Sequence, residues 1–388
     1  MTLPISYNIR NLFVRWKVTL LAIFGIGLVV IVFVVLLSMA SGFRFALRAT
    51  GSPQNAIVTQ QGSTSELTSA FTTEQATMIA VDSRVARAKD GTPLASPEMV
   101  VIANAPRRSD GVATNVTVRG VTPKAFEVRN NINIVEGRNF RAGLYEIIVG
   151  KRIQERMRGL EVGSKMRVMK RDFEIVGAFT AEGSSFESEI WGDLDAMGPA
   201  FNRAGGQNSL TIRLADPKAL DRFNADIKAN PQFQLEMKQE RRYYEDQAGP
   251  TAAALLGLAI FVSVVMGIGA VFGAMNTMYA IVAARTREIG TLRALGFSRF
   301  SILFAFVLEA IFLALTGGLL GCLLAFTMNG VVAGAGGPNF SEMAFAFHIT
   351  SRDILHGLIF AVTMVIIGGL LPAFRAAKLP ITSALREA

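Results

Sequence analysis

The sequence is poor in the residues from which most catalytic and metal sites are built. Its 388 residues include two histidines and one cysteine. Cys322 lies inside an apolar run, so neither an intrachain disulfide framework nor a cysteine-based metal site is available. Neither an H-E-x-x-H nor a G-x-S-x-G pattern occurs, and no metal-ligand set is clustered in the sequence. We therefore predict no catalytic residues and no metal site.

A nucleotide-binding loop is also missing. Gly-Lys occurs at 150–151, but a P-loop needs G-x-x-x-x-G-K-[ST], and Arg152 stands where the magnesium-binding hydroxyl belongs. We expect no cofactor in this chain and no ATP hydrolysis by it. Any ATP-driven work would come from another chain.

Charge is scarce, at 18% of residues, while 51% are hydrophobic, which is the composition of a membrane protein. The 26 residues between Lys17 and Arg44 carry no charge, against roughly 20 needed for a spanning helix. Residues 38–40 would suit a signal-peptide cleavage site, but the apolar run is too long for a signal peptide, so we interpret it as a retained span. The predicted transmembrane helices are 18–43, 249–284, 301–328 and 354–374.

Basic residues decide the predicted orientation, because cytoplasmic loops carry an excess of them. They are concentrated before the first span, between the second and third, and after the fourth. The segments predicted to be cytoplasmic are 1–17, 285–300 and 375–388, and those predicted to be extracytoplasmic are 44–248 and the loop 329–353. Residues 44–246 contain 28 basic and 25 acidic residues, a balance that argues against a nucleic-acid surface.

The extracytoplasmic segment has the pattern of a mixed α/β domain. Short β-branched runs bounded by turn residues predict strands. Helical spacing predicts helices at 72–82 and 216–230. The predicted strands are 55–61, 99–105, 115–121, 146–150, 164–169 and 172–179. The predicted fold is therefore an α-helical membrane protein with four transmembrane helices and a mixed α/β extracytoplasmic domain.

Two further features of this segment lead to specific expectations. The uncharged run 247–284 would be about 57 Å long as a helix, so part of it should leave the membrane as a stalk, with Pro250 in its first turn. The acidic segment 181–195 is interpreted as a solvated loop and not as a cation site, because the alternating spacing of a calcium loop is absent.

The polar segment RTREIGTLRALG, at 285–296, interrupts the apolar C-terminal region. On a helix, Ile289, Leu292 and Leu295 or Gly296 form one narrow apolar face, with the charged residues around the rest. Gly290 and Gly296 permit close backbone approach, and Gly296 can also end the helix. A helix lying on lipid phosphates and a helix docking to a partner protein fit these residues equally well.

Polar and small residues within the spans are further candidates. Glu309 lies inside the third span, where burying a carboxylate costs roughly 2.5–3.5 kcal/mol, so it marks a functional or paired position. We favour pairing with an arginine near the membrane surface over proton transfer. Two Gly-x-x-x-Gly pairs allow close helix contacts within or between subunits. They are Gly269 with Gly273 and Gly317 with Gly321.

The stretch MNTMYAIVAARTREIGTLRALGFSRFSILFAFVLEAIFLALTGGLLG (275–321), together with IIGGLLPAFRAAKLPITSALRE (366–387), resembles the MacB/FtsX/LolC class of ABC-transporter permeases. The middle of the chain is similar to the MacB-type periplasmic core domain. The resemblance implies that 285–300 is the coupling helix that sits in a cleft of a cytoplasmic ATPase, and that Glu309 matches a family glutamate. The residues matching the family's coupling motif are Arg287, Glu288, Gly290, Leu292, Arg293, Ala294, Leu295 and Gly296.

The resemblance also implies a function and partners. A separate ATPase would hold ATP and Mg²⁺, two permease chains would pair as a homodimer or heterodimer, and motion would pass to the extracytoplasmic domain. The expected substrate is a lipoprotein, lipid, peptide or drug at a bacterial inner membrane, with both termini cytoplasmic. Membrane lipids and a periplasmic adaptor or carrier are expected partners, and nucleic acid is not. The alternative is an FtsX-like regulator that transports nothing and activates a cell-wall hydrolase.

Overall fold

The computed structural model describes residues 16–169, 171–336 and 341–378, which form two compact units. A helical unit is drawn from 16–41, 254–330 and 347–378, and an α/β unit comprises Gly42–Ala253 and Val331–Ala346. The predicted basic segment 1–17 lies almost entirely outside the described residues, as does most of 375–388.

The helices of the described residues are α1 (Trp16–Thr50), α2 (Thr73–Ala80), α3 (Ala125–Val128), α4 (Lys151–Arg156), α5 (Leu194–Ala200), α6 (Leu220–Ala229), α7 (Glu240–Ala284), α8 (Thr286–Ala294), α9 (Arg299–Phe326) and α10 (Ser351–Lys378). The strands are β1 (Asn55–Gln60), β2 (Phe71–Thr72), β3 (Ala95–Pro106), β4 (Ala113–Val121), β5 (Asn133–Gly137), β6 (Glu146–Gly150), β7 (Lys165–Val168), β8 (Arg171–Thr180), β9 (Glu189–Asp193), β10 (Gly206–Gln207), β11 (Ser209–Arg213), β12 (Leu235–Gln239), β13 (Val332–Gly336) and β14 (Glu342–Ala346). Short 3₁₀ helices cover Glu66–Thr68, Ser185–Ser188 and Pro217–Ala219.

Four helices, α1, α7, α9 and α10, are long and apolar enough to cross a membrane. α7 begins at Glu240, nine residues before the predicted start of the second span. The expectation that Pro250 lies in its first turn is therefore wrong, and Pro250 is inside the helix. The charged residues 240–246 continue the helical backbone even though they end the apolar run, so hydropathy marks the membrane part of α7 and misses its beginning.

Glycines set the closest contacts in the helical unit. A side chain at Gly321 of α9 would place its Cβ 2.7 Å from the Gly27 carbonyl oxygen and 2.8 Å from Cβ of Val30. A Cβ at Gly317 would lie 2.9 Å from the Ile23 carbonyl oxygen. Since real Cβ atoms do not approach so closely, these two glycines allow α9 to pack directly on the backbone of α1.

The second predicted glycine pair has different surroundings. Gly269 and Gly273 lie on α7, and a Cβ built at either position meets no atom of the described chain within 4 Å. These two glycines therefore make no close packing contact with residues 16–169, 171–336 or 341–378.

The α/β unit is built on a ten-stranded sheet in the order β12-β1-β11-β3-β4-β9-β6-β8-β5, with β7 on β8. Most neighbours are antiparallel, while β4 pairs with β9 and β6 with β8 in parallel. All six predicted strands are present, and the predicted helices at 72–82 and 216–230 correspond to α2 and to the 3₁₀ turn with α6. One face of β3, β4 and β9 carries the apolar core, which includes Met99, Val101, Val118 and Ile190.

The segment predicted as the loop 329–353 contains the hairpin β13–β14, which belongs to the α/β unit. Ser188 Oγ donates to the Ala344 carbonyl oxygen at 3.0 Å and accepts from the Ala344 amide at 2.9 Å. Arg156 forms an ion pair with Glu342, and Thr117 Oγ1 donates to Ser341 Oγ at 2.8 Å. The connection between α9 and α10 therefore folds together with residues 42–253.

Candidate functional site

The segment predicted to couple to a partner forms the nine-residue helix α8, Thr286–Ala294. Gly296 ends it with a φ of 94°, a left-handed conformation that glycine adopts without strain. The Gly296 amide donates to the Arg293 carbonyl at 3.2 Å, and the Phe297 amide donates to the Leu292 carbonyl at 3.1 Å. These two bonds form a Schellman motif, so the expectation that Gly296 ends the helix is confirmed.

The predicted single apolar face of this helix is divided in the structure. Ile289 is 3% exposed and packs in the core of the helical unit, and Gly290 is also buried. Leu295 is 69% exposed, and Leu292 is half-buried between them. At 3.6 residues per turn, Ile289 and Leu295 point about 120° apart, so one of them faces the core while the other faces outward.

The outward surface of α8 is therefore mostly polar. The exposed residues of the segment are Arg287, Glu288, Thr291, Ala294, Leu295 and Gly296. Arg293 is half-buried. Of the motif residues predicted from the sequence, the charged Arg287 and Glu288 and the C-terminal turn are available to a partner, while Ile289 and Gly290 attach the helix to its own bundle.

Glu309 of α9 is buried and paired with an arginine of the preceding connection. Arg285 Nη1 donates to Glu309 Oε2 at 3.0 Å, and Arg285 Nε donates to Glu288 Oε2 at 3.2 Å. The Arg285 guanidinium also lies 5.3 Å from the centre of the Phe306 ring. Arg285 was not among the predicted site residues. The sequence does contain a signal for this pair. Arg285 is the first charged residue after the apolar run 247–284, and Glu309 is the lone carboxylate inside the next apolar run.

The α/β unit contains a buried cluster of charged residues that no motif indicated. At its centre, Arg119 of β4 donates to Glu189 at 2.7 and 2.9 Å, to Glu66 at 2.7 and 3.0 Å, and to Glu98 at 2.8 Å. Trp191 Nε1 also donates to Glu189 Oε2, at 2.8 Å. All of these side chains are buried.

A second arginine extends the cluster to the first residue of α7. Arg129 Nε donates to Glu240 Oε1 at 2.9 Å, and its two terminal nitrogens donate to Glu98. The other oxygen of Glu240 accepts from the Ser52 amide and from Asn55 Nδ2, both at 3.0 Å. The beginning of α7 is thereby bound to the sheet of its own unit through charge-assisted hydrogen bonds.

The protonation states follow from these contacts. Burial alone would raise the pKa of Glu66, but the adjacent Arg119 guanidinium outweighs it and holds the pKa below the ordinary value of 4.5. Burial likewise disfavours the charged form of Arg119, while the carboxylates of Glu189 and Glu66 raise its pKa well above the ordinary value. Glu66 and Arg119 are therefore both ionised, and the charge of each stabilises that of the other.

Part of the cluster lies in the acidic segment that was interpreted as a solvated loop, and that interpretation is wrong. Glu187, Glu189 and Asp193 are buried, whereas Glu182 and Asp195 are exposed. Glu189 lies on the central strand β9, and Asp193 caps the N-terminus of α5 by accepting from the Ala196 amide at 3.3 Å. The arginine partners of Glu187 and Glu189 are distant in the sequence. The sequence of 181–195 alone therefore has the pattern of a solvated acidic segment.

Neither region resembles a metal centre. Among residues 16–169, 171–336 and 341–378, no group of three or more His, Cys, Asp or Glu side chains is arranged to hold a metal ion. An arginine donates to each of the glutamates that define the two regions: Glu66, Glu98, Glu189, Glu240, Glu288 and Glu309. The chemistry of both regions is attachment and positioning.

Two protein-family matches together cover most of the chain. The MacB-like periplasmic core domain matches residues 19–230, and the FtsX-like permease C-terminal domain matches residues 260–381. A protein of Methanocaldococcus jannaschii described as an ABC transporter permease is 27% identical over 59% of this chain and 58% of its own length. The macrolide export ATP-binding/permease protein MacB of Bordetella avium is 27% identical over 80% of this chain and 49% of its own length. The chain thus spans about half the length of these curated relatives.

A solved structure, the extracellular domain of the transporter YknZ from Gram-positive bacteria, aligns with 47% of this chain and 99% of that domain. Its TM-score is 0.36 and the sequence identity is 13%.

Proposed function

The chain belongs to the family of ABC transporter permeases with a MacB-like periplasmic core domain and an FtsX-like C-terminal region, and we propose that it transmits ATP-driven motion from a separate ATPase to its extracytoplasmic domain. It is a membrane protein with four candidate spans. In this proposal α8 docks in a cleft of the cytoplasmic ATPase, which holds ATP and Mg²⁺.

The observation that carries this proposal is the continuity of α7. Its 45 residues form one helix, about 67 Å long at 1.5 Å per residue, more than twice the hydrocarbon thickness. Its first residue, Glu240, is part of the buried charge cluster, and only Arg285 separates its last residue from α8. A displacement of α8 would therefore pass through one non-helical residue, Arg285, into a helix that is continuous back to Glu240.

The remaining components follow from the same proposal. Two permease chains pair above two ATPase subunits in a bacterial inner membrane, with the termini in the cytoplasm. The substrate is a lipoprotein, lipid, peptide or drug taken from the outer leaflet or the extracytoplasmic space, with a periplasmic adaptor or carrier receiving it. The basic residues that flank α8 support this orientation.

The test changes two residues of α8, the exposed Glu288 and the half-buried Leu292. We expect Glu288→Lys and Leu292→Asp to abolish ATPase copurification and permease-stimulated ATP hydrolysis while membrane insertion is retained, because both place an unfavourable group on the docking surface. The matched control is Glu155→Lys, which makes the same charge change on the exposed surface of α4.

Undiminished stimulated turnover in both α8 variants would contradict the docking assignment. A second measurement separates transport from regulation. ATP-dependent release of a lipoprotein or lipid from proteoliposomes supports transport, whereas ATP-dependent activation of a cell-wall hydrolase without release supports the FtsX-like alternative.

A further inference from the structure

We propose that Arg285 is the positioning residue of α8, and that it sets the orientation of this helix by bridging Glu309 of α9 and Glu288 of α8. This inference rests on the proposed docking function of α8. In this inference Glu309 is the fixed end of the bridge. Arg285 affects docking by orienting α8 and does not itself contact the ATPase.

Arg285 contacts α8 through its backbone and α9 through its side chain. Its carbonyl accepts from the Ile289 amide at 2.9 Å, so Arg285 supplies the first acceptor of α8. Its side chain meanwhile reaches away from that helix to Glu309 at 3.0 Å. A movement of Arg285 relative to α9 would therefore move the first turn of α8 with it.

The ion pair between Arg285 and Glu309 is buried, so the loss of either partner is costly. The side chains of Arg285 and Glu309 are each 6% exposed, and the guanidinium lies against Phe306, itself buried. A guanidinium offers donors in a rigid fork, so its Nε and Nη1 can serve two carboxylates in different directions at once. If Glu309 is removed, the buried arginine has lost a charged partner in a region of low dielectric, and the stable response is movement of Arg285 toward water.

The apolar contacts of α8 fix one side of the helix but not its rotation. Ile289 packs in the core with Ile302 and Phe306 of α9, which holds α8 against the bundle at one point. The Arg285 bridge is a second attachment, four residues earlier and polar. Two separated attachments define the direction of a short helix, whereas one leaves it free to pivot.

The experiment uses the full-length permease in nanodiscs, with and without the ATPase that copurifies with the wild type. Hydrogen exchange of the amides of 286–296 reports the order of α8 without the ATPase, and stimulated ATP hydrolysis reports docking. We expect Glu309→Leu to speed exchange by about tenfold or more and to reduce stimulation to a similar degree, as expected for a broken buried pair. Glu309→Gln, which keeps an acceptor for Nη1, should give an intermediate result.

A double variant separates positioning from simple stability. In Arg285→Leu with Glu309→Leu no buried charge of this bridge is left unpaired, and Glu288, which also loses its bond from Arg285, is 53% exposed, so thermal stability should return close to that of the wild type. Exchange in 286–296 should stay fast and stimulation low, because the bridge is still missing. The control, Arg352→Leu, removes an exposed arginine in the first turn of α10, away from the segment 285–300, and should change neither reading.

The outcomes distinguish this inference from the proposed function. Unchanged exchange in Glu309→Leu, or normal exchange in the double variant, would overturn the positioning role. Fast exchange with undiminished stimulation would leave the positioning role in place and contradict docking through α8.

Discussion

Replacing Arg129 by methionine should destabilise the α/β unit far more than removing an arginine from its surface. Arg129 makes hydrogen bonds with Glu98, Glu240 and Thr211, all of them buried. Methionine has a similar length but offers no donor, so the change leaves two buried carboxylates with fewer partners while the space stays filled.

The magnitude follows from what remains around each carboxylate. Glu98 keeps one bond from Arg119, at 2.8 Å, and Glu240 keeps the Ser52 amide and the Asn55 amide group. Removing one member of a buried ion pair costs about 3–5 kcal/mol, a large part of the roughly 5–15 kcal/mol that a domain has in total. With a urea dependence of about 2 kcal/mol per molar, the midpoint of unfolding should fall by roughly 2 M.

The assay exploits the scarcity of tryptophan. The sequence contains two, and Trp16→Phe leaves Trp191, which is buried beside the cluster, as the only tryptophan, so selective tryptophan excitation reports on this position. Urea unfolding of the full chain in nanodiscs then follows the α/β unit. The control is Arg48→Met, since Arg48 pairs with Glu245 but the two side chains are 66% and 42% exposed, and its midpoint should shift by less than about 0.5 M. Equal midpoints for the two variants would refute the reasoning.

Two further predictions concern packing and pH. Gly321→Val should prevent α9 from packing on Gly27 of α1 and lower the thermal stability of the purified chain. Gly273→Val should be tolerated, unless a second subunit covers that face of α7. Hydrogen bonds from Arg138 lower the pKa of Glu146 from 4.5 to about 2. The contribution of the Glu146 carboxylate to stability is therefore complete above pH 4.5 and is lost as the pH falls toward 2. In Arg138→Met the urea midpoint should change less across this pH range than in the wild type.

Much of the architecture could be predicted from the sequence, because hydrophobic periodicity and turn residues act locally. The six predicted strands and the two predicted helices of the α/β unit are present. The strands that were missed are short or polar, such as β5 and β12, or lie within the acidic segment, as β9 does. Their pairing is determined by neighbours far along the chain, which local pattern does not report.

The buried charges could not be predicted for a related reason. Alternation along β4 places Thr117 and Arg119 on one face, and such a face is expected to meet water. In this protein the face is covered by Arg129 and by the first turn of α7, which brings Glu240 onto it. Only the tertiary contacts, between residues 21 to 111 positions apart in the sequence, show that these charges are partners.

The same logic extends to α8, where amphipathic spacing indicated a helix but not which side would face a partner. Ile289 is apolar and was counted with Leu295, yet only the bundle determines that Ile289 is inside. Helical spacing determines the angle between the side chains of α8. Which of them face the core depends on how the helix packs against the rest of its unit.

Both ends of α7 are held in the same way, by an ion pair between a glutamate and an arginine. At the first end, Glu240 is held by Arg129, and immediately after the last residue, Arg285 is held by Glu309. Between them, apolar side chains such as Phe261 and Phe272 are exposed on the described chain. A helix bound by directional, charge-assisted contacts at its ends and by non-directional apolar contacts along its length resists being pulled out at either end while it can still slide or tilt against lipid. Removing either ion pair should therefore loosen that end of α7 while the other pair and the helix itself stay intact.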